Sequence, residues 1–164
     1  MPDAAEDLAL IVKAAREAGE LALRLRAAGL ETQFKDGGSP VTNADLAGHP
    51  YVMNVWGSWC PECRVEHPIL TKFALTKRVR FIGYNLKDER PDALRWLEQF
   101  GNPYMMVLAD VEGRTAIDWG IYGAPETFLV DGNGVIRWKH VGAIDQAIID
   151  HQLIPALEKI EAGR

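Results

Sequence analysis

Residues 56–67 read WGSWCPECRVEH and hold both cysteines of the 164-residue chain, Cys60 and Cys63. Two thiols separated by two residues admit three chemistries: a dithiol that cycles to a disulfide, half of a metal site, or a structural staple. A four-ligand zinc site takes twice what this pair supplies. The histidines are His49, His67, His140 and His151, and only His67 lies at a helical spacing from Cys63. Ligand count therefore argues against a zinc or copper centre, and a metal carrier built on Cys60, Cys63 and His67 is the weaker alternative. A bridge across two intervening residues closes a very short loop and restricts the unfolded chain little, which argues against a staple. Redox exchange between the two sulfurs fits best, and it calls for no cofactor and no metal.

That chemistry depends on what holds the sulfurs. Tyr51 to Trp56 (YVMNVW) is a short apolar run, as expected for a buried strand. Pro61 to about Thr76 reads as a helix, with Val65, Ile69, Phe73 and Ala74 on one side and Pro68 expected to kink it. Arg80 to Leu86 is a second strand, and Pro91 to Phe100 a short helix with proline in its first turn. Tyr104 to Leu108 reads as a third strand and Arg114 to Trp119 as a brief helix. Thr127 to Val130 and Val135 to His140 flank Asp131-Gly132-Asn133-Gly134, a strong hairpin signal. Ile144 to about Ile160 is amphipathic, with Pro155 expected to bend or divide it. Strand, helix, strand, helix, hairpin and closing helix make an α/β sandwich with a mixed sheet.

Upstream, Ala4 to about Leu30 reads as one amphipathic helix, with Leu8, Ile11, Val12, Ala15, Ala18, Ala22 and Leu25 at spacings of three and four. Residues 31–50 are rich in glycine, proline and small polar residues and form the best candidate boundary. The formal charge of −5 argues against a nucleic-acid or anionic-membrane partner. Neither a run of 18 apolar residues nor a basic-then-apolar start is present, so no export address or anchor is expected in this chain.

Placed after a strand and at a helix start, Cys60 meets unpaired backbone N–H groups that favour a thiolate. As the more exposed sulfur it is the nucleophile that attacks a partner's disulfide. Cys63, one helical turn on, is the resolving thiol that attacks the mixed disulfide. Pro125 precedes the Thr127 strand, where a cis peptide would let the Ala124 backbone face an extended substrate segment.

WGSWCPEC, YNLKDER, GNPY and GIYGAPETFLVDGNGVIRWKHVG together resemble the CcmG/DsbE family, the membrane-tethered periplasmic thiol-disulfide oxidoreductases of cytochrome c maturation. The likeness runs from about Leu46 to the C-terminus. It implies a thioredoxin-like three-layer sandwich, here preceded by the N-terminal amphipathic helix, with Pro125 as the cis-proline and Trp59 beside the reactive sulfur. A substrate would meet Trp59, Pro61, Glu62, Ala124 and Pro125. The implied partners are protein dithiols and disulfides, either apocytochrome c or its thiol carriers, with an upstream membrane reductant. The implied compartment is the periplasm.

Asn54 stands where the wider thioredoxin pattern has a buried aspartate that deprotonates the resolving thiol. Asn54 cannot take a proton, and Glu126, next to Pro125, is the candidate substitute and the third catalytic residue. Residues 1–47 instead resemble the opening of the inositol monophosphatase and bisphosphate nucleotidase superfamily, through Lys35, Ser39, Thr42 and Asp45. That family's later acidic motifs are missing, so phosphatase chemistry is not expected. The reading is a fusion with a boundary at residue 47, a sheet edge near YVMNVW in need of cover, and a homodimer if it stays bare. The competing function is a thioredoxin-fold binding module whose catalysis is lost with the altered N-terminus.

Glu62 sets a carboxylate beside Cys60, which disfavours the thiolate, and a less stabilised reduced form makes a stronger reductant. Replacing Glu62 with Gln should therefore lower the Cys60 pKa and make the couple more oxidising. Alkylation rates across pH and the equilibrium with a glutathione buffer report the two effects, and an unchanged potential removes the argument.

Overall fold

The structure, a computed structural model, describes residue 46 and residues 48–163. The helix expected over Ala4 to Leu30 and most of the segment 31–50 lie outside the described residues. Strand β1 (Tyr51–Trp56) leads into helix α1 (Pro61–Ala74). Strand β2 (Arg80–Leu86), helix α2 (Arg90–Phe100), strand β3 (Met106–Asp110) and the short helix α3 (Arg114–Asp118) follow. Strands β4 (Glu126–Val130) and β5 (Ile136–Val141) form the hairpin. The closing rod runs through helix α4 (Gln146–Ile148), a π-helical turn at Ile149–Leu153 and helix α5 (Ile154–Ala162).

The five strands are ordered β3-β2-β1-β4-β5. The pairs β1–β2 and β2–β3 are parallel, while β1–β4 and β4–β5 are antiparallel. Successive right-handed crossovers from β1 to β2 to β3 put α1 and α2 on one face of the sheet. The alternation of side chains along β1 matches: Val52 and Trp56 join the cluster that includes α1, α2 and the closing rod. Met53 and Val55 join the opposite cluster, which includes Ala116 of α3. The architecture is the expected mixed-sheet, three-layer α/β sandwich.

An open sheet edge beside YVMNVW is not found. β1 is the central strand, paired on both sides because β2 and β4 occupy its two edges, and covered on both faces. The inward face of α1 also differs from the hydrophobic pattern. Val65 is exposed, and the buried positions are Cys63, Glu66, His67, Leu70 and Phe73. Two polar residues occupy the core-facing stripe, so apolar periodicity rotated the expected face. Helix α1 continues through Pro68. Pro155 is accommodated by the π turn just before it, where Ile154 N–H reaches the Ile149 carbonyl and the wider winding relieves the proline ring.

At the hairpin, the Asp131 carboxylate accepts from the N–H groups of Asn133 (2.8 Å) and Val135 (3.0 Å) and from Arg137 Nε (2.6 Å). Gly134 takes the left-handed conformation that closes the turn. This self-capped turn closes the hairpin, and an irregularity at Leu129/Val130 then shifts the pairing so that Glu126 stands beside Val141.

Trp56, at the end of β1, stacks on Trp96 (4.8 Å between centroids) and Tyr104 (5.8 Å). Gly83 on β2 makes room for this stack. A Cβ there would stand 2.8 Å from both Trp56 Nε1 and Tyr104 Cδ2. Gly83→Ala should therefore lower stability by about 1–3 kcal/mol through overpacking of rigid rings. Urea denaturation measures it, and an unchanged midpoint would mean that the rings yield at no cost.

Candidate active site

Strand β1 ends at Trp56, and the chain turns through Gly57–Cys60 into α1, with Cys60 N–H bonded to the Gly57 carbonyl at 3.1 Å. Cys60 is the N-cap residue, and Pro61, which has no N–H to satisfy, opens the helix. Cys60 and Cys63 are joined in a disulfide. The Cys60 sulfur also accepts the Cys63 N–H at 3.1 Å, the position an N-cap oxygen ordinarily takes. The helix start thus presents a backbone donor to this sulfur, and electron density there is stabilised by the helix end.

Cys60 is 3% exposed and Cys63 1%. The expected contrast between an exposed nucleophile and a buried partner is therefore small in the oxidised protein, because the bond to Cys63 draws the Cys60 sulfur over the helix end. What faces solvent around it is Trp59, half exposed, with Pro61 and Glu62.

The approach loop is clamped from β2. Asp88, buried just beyond that strand, accepts from Ser58 N–H and Ser58 Oγ, both at 2.6 Å, and from Asn85 Nδ2 at 2.8 Å. Trp59 Nε1 donates to the Leu86 carbonyl at 2.9 Å, which lays the indole along the loop. Gly57 is required by that pose, since a Cβ there would meet the indole at 2.5 Å.

The second wall comes from the start of β4. Val55 pairs with Glu126, so the residue preceding Glu126 sits level with the end of β1, where the cysteine loop begins. The Ala124–Pro125 peptide is cis, and Ala124 packs against the apolar cluster that contains both cysteines. Glu126 is buried at 1% exposure. One carboxylate oxygen accepts from the N–H groups of Tyr122 (2.9 Å) and Gly123 (3.2 Å), and the other lies 2.9 Å from Lys139 Nζ. Lys139 also donates to the Gly120 carbonyl at 2.8 Å and sits over the Tyr122 ring. The Glu126 carboxylate is thus committed to the loop that carries the cis-proline.

A different carboxyl lies on the buried face of the helix that carries Cys63. Glu66, one turn after Cys63, is 1% exposed. Asn54 Nδ2 donates to its Oε1 at 2.8 Å and Ile144 N–H to its Oε2 at 2.8 Å. The same amide nitrogen reaches Thr127 Oγ1 at 3.2 Å, and Tyr104 O–H donates to Asn54 Oδ1 at 2.7 Å. Burial pushes the Glu66 pKa up to about 7, with the charge of Glu62 adding to the rise while the bonds from Ile144 and Asn54 oppose it. Burial, and secondarily the Glu66 charge, hold the Tyr104 phenol well above its ordinary value. Glu66 is therefore a buried group able to exchange a proton near neutrality.

Sequence reasoning brought together Cys60, Cys63, Trp59, Pro61, Glu62, Ala124 and Pro125, but it missed Glu66, Asp88 and Tyr104. The helical spacing of Cys63 and Glu66 was an available signal, since residues three apart share a helix face. His67, weighed as a metal ligand, spends Nε2 on the Gly101 carbonyl at 2.9 Å and packs edge-on to Trp96. Burial lowers its pKa, the bond to Gly101 acting against that.

The Redoxin family model matches residues 12–153. That span crosses residue 47 and gives no support to a junction between unrelated halves there. The thiol:disulfide interchange protein DsbE of Xylella fastidiosa is 61% identical over 121 residues, covering 74% of this chain and 61% of that protein. The protein of the same name in Allochromatium vinosum is 45% identical over 131 residues, covering 80% of this chain and 72% of that protein. In the solved structures, a thiol:disulfide interchange protein DsbE from Chlorobium tepidum matches with a TM-score of 0.63 at 28% identity, covering 79% of this chain and 94% of that chain. The chain thus spans about three fifths of the length of the Xylella relative. With a thioredoxin-like fold, a C-x-x-C disulfide at a helix start and these likenesses, the chain belongs to the Redoxin family and, within it, to the DsbE-type thiol:disulfide interchange proteins.

Proposed function

We propose that the protein is a thiol-disulfide oxidoreductase that works as a reductant on protein disulfides. The observation that carries this reading is the Cys60–Cys63 disulfide at the start of α1, with the Cys60 sulfur in the N-cap position. In the reduced protein the Cys60 thiolate attacks one sulfur of a substrate disulfide. A mixed disulfide forms, and the other substrate sulfur leaves as a thiolate. Cys63 then gives its proton to the Glu66 carboxylate, and its thiolate attacks the Cys60 sulfur. The second substrate sulfur departs, so the substrate gains two electrons and the protein is left with the disulfide seen here. The proton on Glu66 returns through solvent to a product thiolate.

Glu66 suits the acceptor's role because a base poised near the working pH is neither empty of driving force nor already protonated. Glu126 is better read as a positioning residue that holds the loop 120–125. Trp59, Pro61, Glu62, Ala124 and Pro125 form the surface against which an extended segment carrying the substrate disulfide would lie, with the Ala124 backbone as its hydrogen-bonding edge. Family likeness supports cytochrome c maturation as the process, apocytochrome c or its thiol carriers as substrates, a membrane reductant upstream and the periplasm as the compartment. Among the described residues, no helix is long and apolar enough to cross a membrane.

Two variants test the reading. Cys63→Ser should accumulate a mixed disulfide through Cys60 with a disulfide-bearing substrate. Failure to trap one, together with no reduction of insulin by the unaltered protein, would favour a binding module. Glu66→Gln should still form the mixed disulfide but resolve it about a hundredfold more slowly near pH 7, the scale of a lost general base. Its rate should recover only as the Cys63 thiol ionises unaided, near its ordinary pKa of about 8.5.

A further inference from the structure

Tyr104 lies outside the C-x-x-C loop and the cis-proline loop, on the segment that enters β3. It is 7% exposed, and its ring is held by the stack on Trp56. Its hydroxyl donates to Asn54 Oδ1 at 2.7 Å, while Asn54 Nδ2 donates to Glu66 at 2.8 Å and to Thr127 Oγ1 at 3.2 Å. An amide has two faces, an acceptor and a double donor, and only one of its two orientations offers N–H to a carboxylate. Were the Asn54 amide reversed, its oxygen would face Glu66, which only a protonated Glu66 could satisfy. Tyr104 O–H would then lose its acceptor in a dry interior.

We propose that Tyr104 is a positioning residue for disulfide exchange, whose hydroxyl locks the Asn54 amide so that its nitrogen faces Glu66 and keeps that carboxyl ready to accept a proton. This rests on Glu66 as the acceptor from Cys63. The groups facing Glu66 from the elements packed on it are few. Helix α1 contributes the exposed Glu62 one turn earlier, Cys63, and His67, whose Nε2 is engaged with Gly101. β1 contributes Asn54, β4 Thr127, the segment before the closing rod the Ile144 N–H, and the β3 approach Tyr104. With Phe at position 104 the amide is released to present either face, and the reversed amide favours the protonated carboxyl. The proton acceptor is then occupied to higher pH.

The experiment follows the reduced protein as it reacts with an aromatic disulfide that releases a coloured thiolate. A first equivalent leaves as Cys60 forms the mixed disulfide, and a second as Cys63 displaces it. The rate of the second phase across pH reads the acceptor. In the unaltered protein it should rise with a midpoint near 7. Tyr104→Phe should displace the midpoint upward by about one unit, roughly tenfold slower on the acid side, with the alkaline plateau retained. Asn54→Leu should move it the same way, and Tyr104→Phe should add nothing in that background or in Glu66→Gln. A carbon NMR titration of the Glu66 carboxyl in the oxidised protein gives the same displacement independently of the chemistry. An unmoved midpoint in Tyr104→Phe, with Glu66→Gln displacing the rise to the thiol's own range of about 8.5, overturns the role of Tyr104 alone. A rise whose midpoint stays near 7 in Glu66→Gln instead overturns the reading of Glu66 as acceptor. A merely structural loss in Tyr104→Phe would lower the plateau and leave the midpoint in place, which also counts against the proposal.

Discussion

A carboxyl group in a dry interior is the constraint around which this site is arranged. Glu66, one helical turn after Cys63, is 1% exposed and takes its two hydrogen bonds from neutral donors. One donor, Asn54, is 12 residues earlier on the central strand; the other, the Ile144 N–H, is 78 residues later at the entrance to the closing rod. Strand β1, helix α1 and the last helical segment are therefore tied at one point. Leaving either donor unmade would cost about 1–3 kcal/mol, a large fraction of what holds a domain of this size together. The bonds that close the fold here are the same bonds that set how readily Glu66 holds a proton.

Three buried carboxylates sit on helix α1, just beyond β2 and at the start of β4, and their surroundings give them different roles. Asp88 turns both oxygens on Ser58 and Asn85 and shapes the approach to Cys60. Glu126 is ion-paired with Lys139, and one of its oxygens accepts from two backbone N–H groups, so its charge is balanced by an opposite one. Glu66 faces neutral donors and the like charge of Glu62, and burial raises its pKa. A paired carboxylate is a strut, whereas one whose ionisation is penalised by burial can take up and release a proton. The cis-proline loop and the cysteine loop are thus braced by the two struts, while the carboxyl with the raised pKa is on α1.

Much of this was legible in the chain. YVMNVW had to be a buried strand, the hairpin followed from Asp131-Gly132-Asn133-Gly134, and the cysteine spacing at a helix start pointed to exchange chemistry. Pro125 was legible as a cis-proline from its place at the entry to a strand in a C-x-x-C context, and the family likeness pointed the same way, although X-Pro bonds by themselves are mostly trans. The buried face of α1 was not legible from apolar periodicity. Val65 is exposed there while Glu66 and His67 are inside, so the pattern that usually marks a core is inverted where the chemistry sits. Partners brought together by the sheet, such as Tyr104 with Asn54 across 50 residues, follow from strand register and from the gap left by Gly83. Neither is written in any local segment.

Asn54 looked like a departure from the thioredoxin pattern because it removes a proton acceptor from the central strand. The geometry gives that departure a physical reason. Its side chain stands 2.8 Å from Glu66, and an aspartate in its place would set two carboxyls at hydrogen-bonding distance in a buried site. Such a pair cannot carry two charges and shares one proton, with one member protonated far above its ordinary pKa. An asparagine there supplies a donor instead of a competing charge, and the acceptor moves from the strand to the helix that carries Cys63. Asn54 and Glu66 are therefore best understood as one exchange of roles between two neighbouring positions: the amide on the strand, together with the Ile144 N–H, offsets part of the cost that burial sets on ionising the acid on the helix.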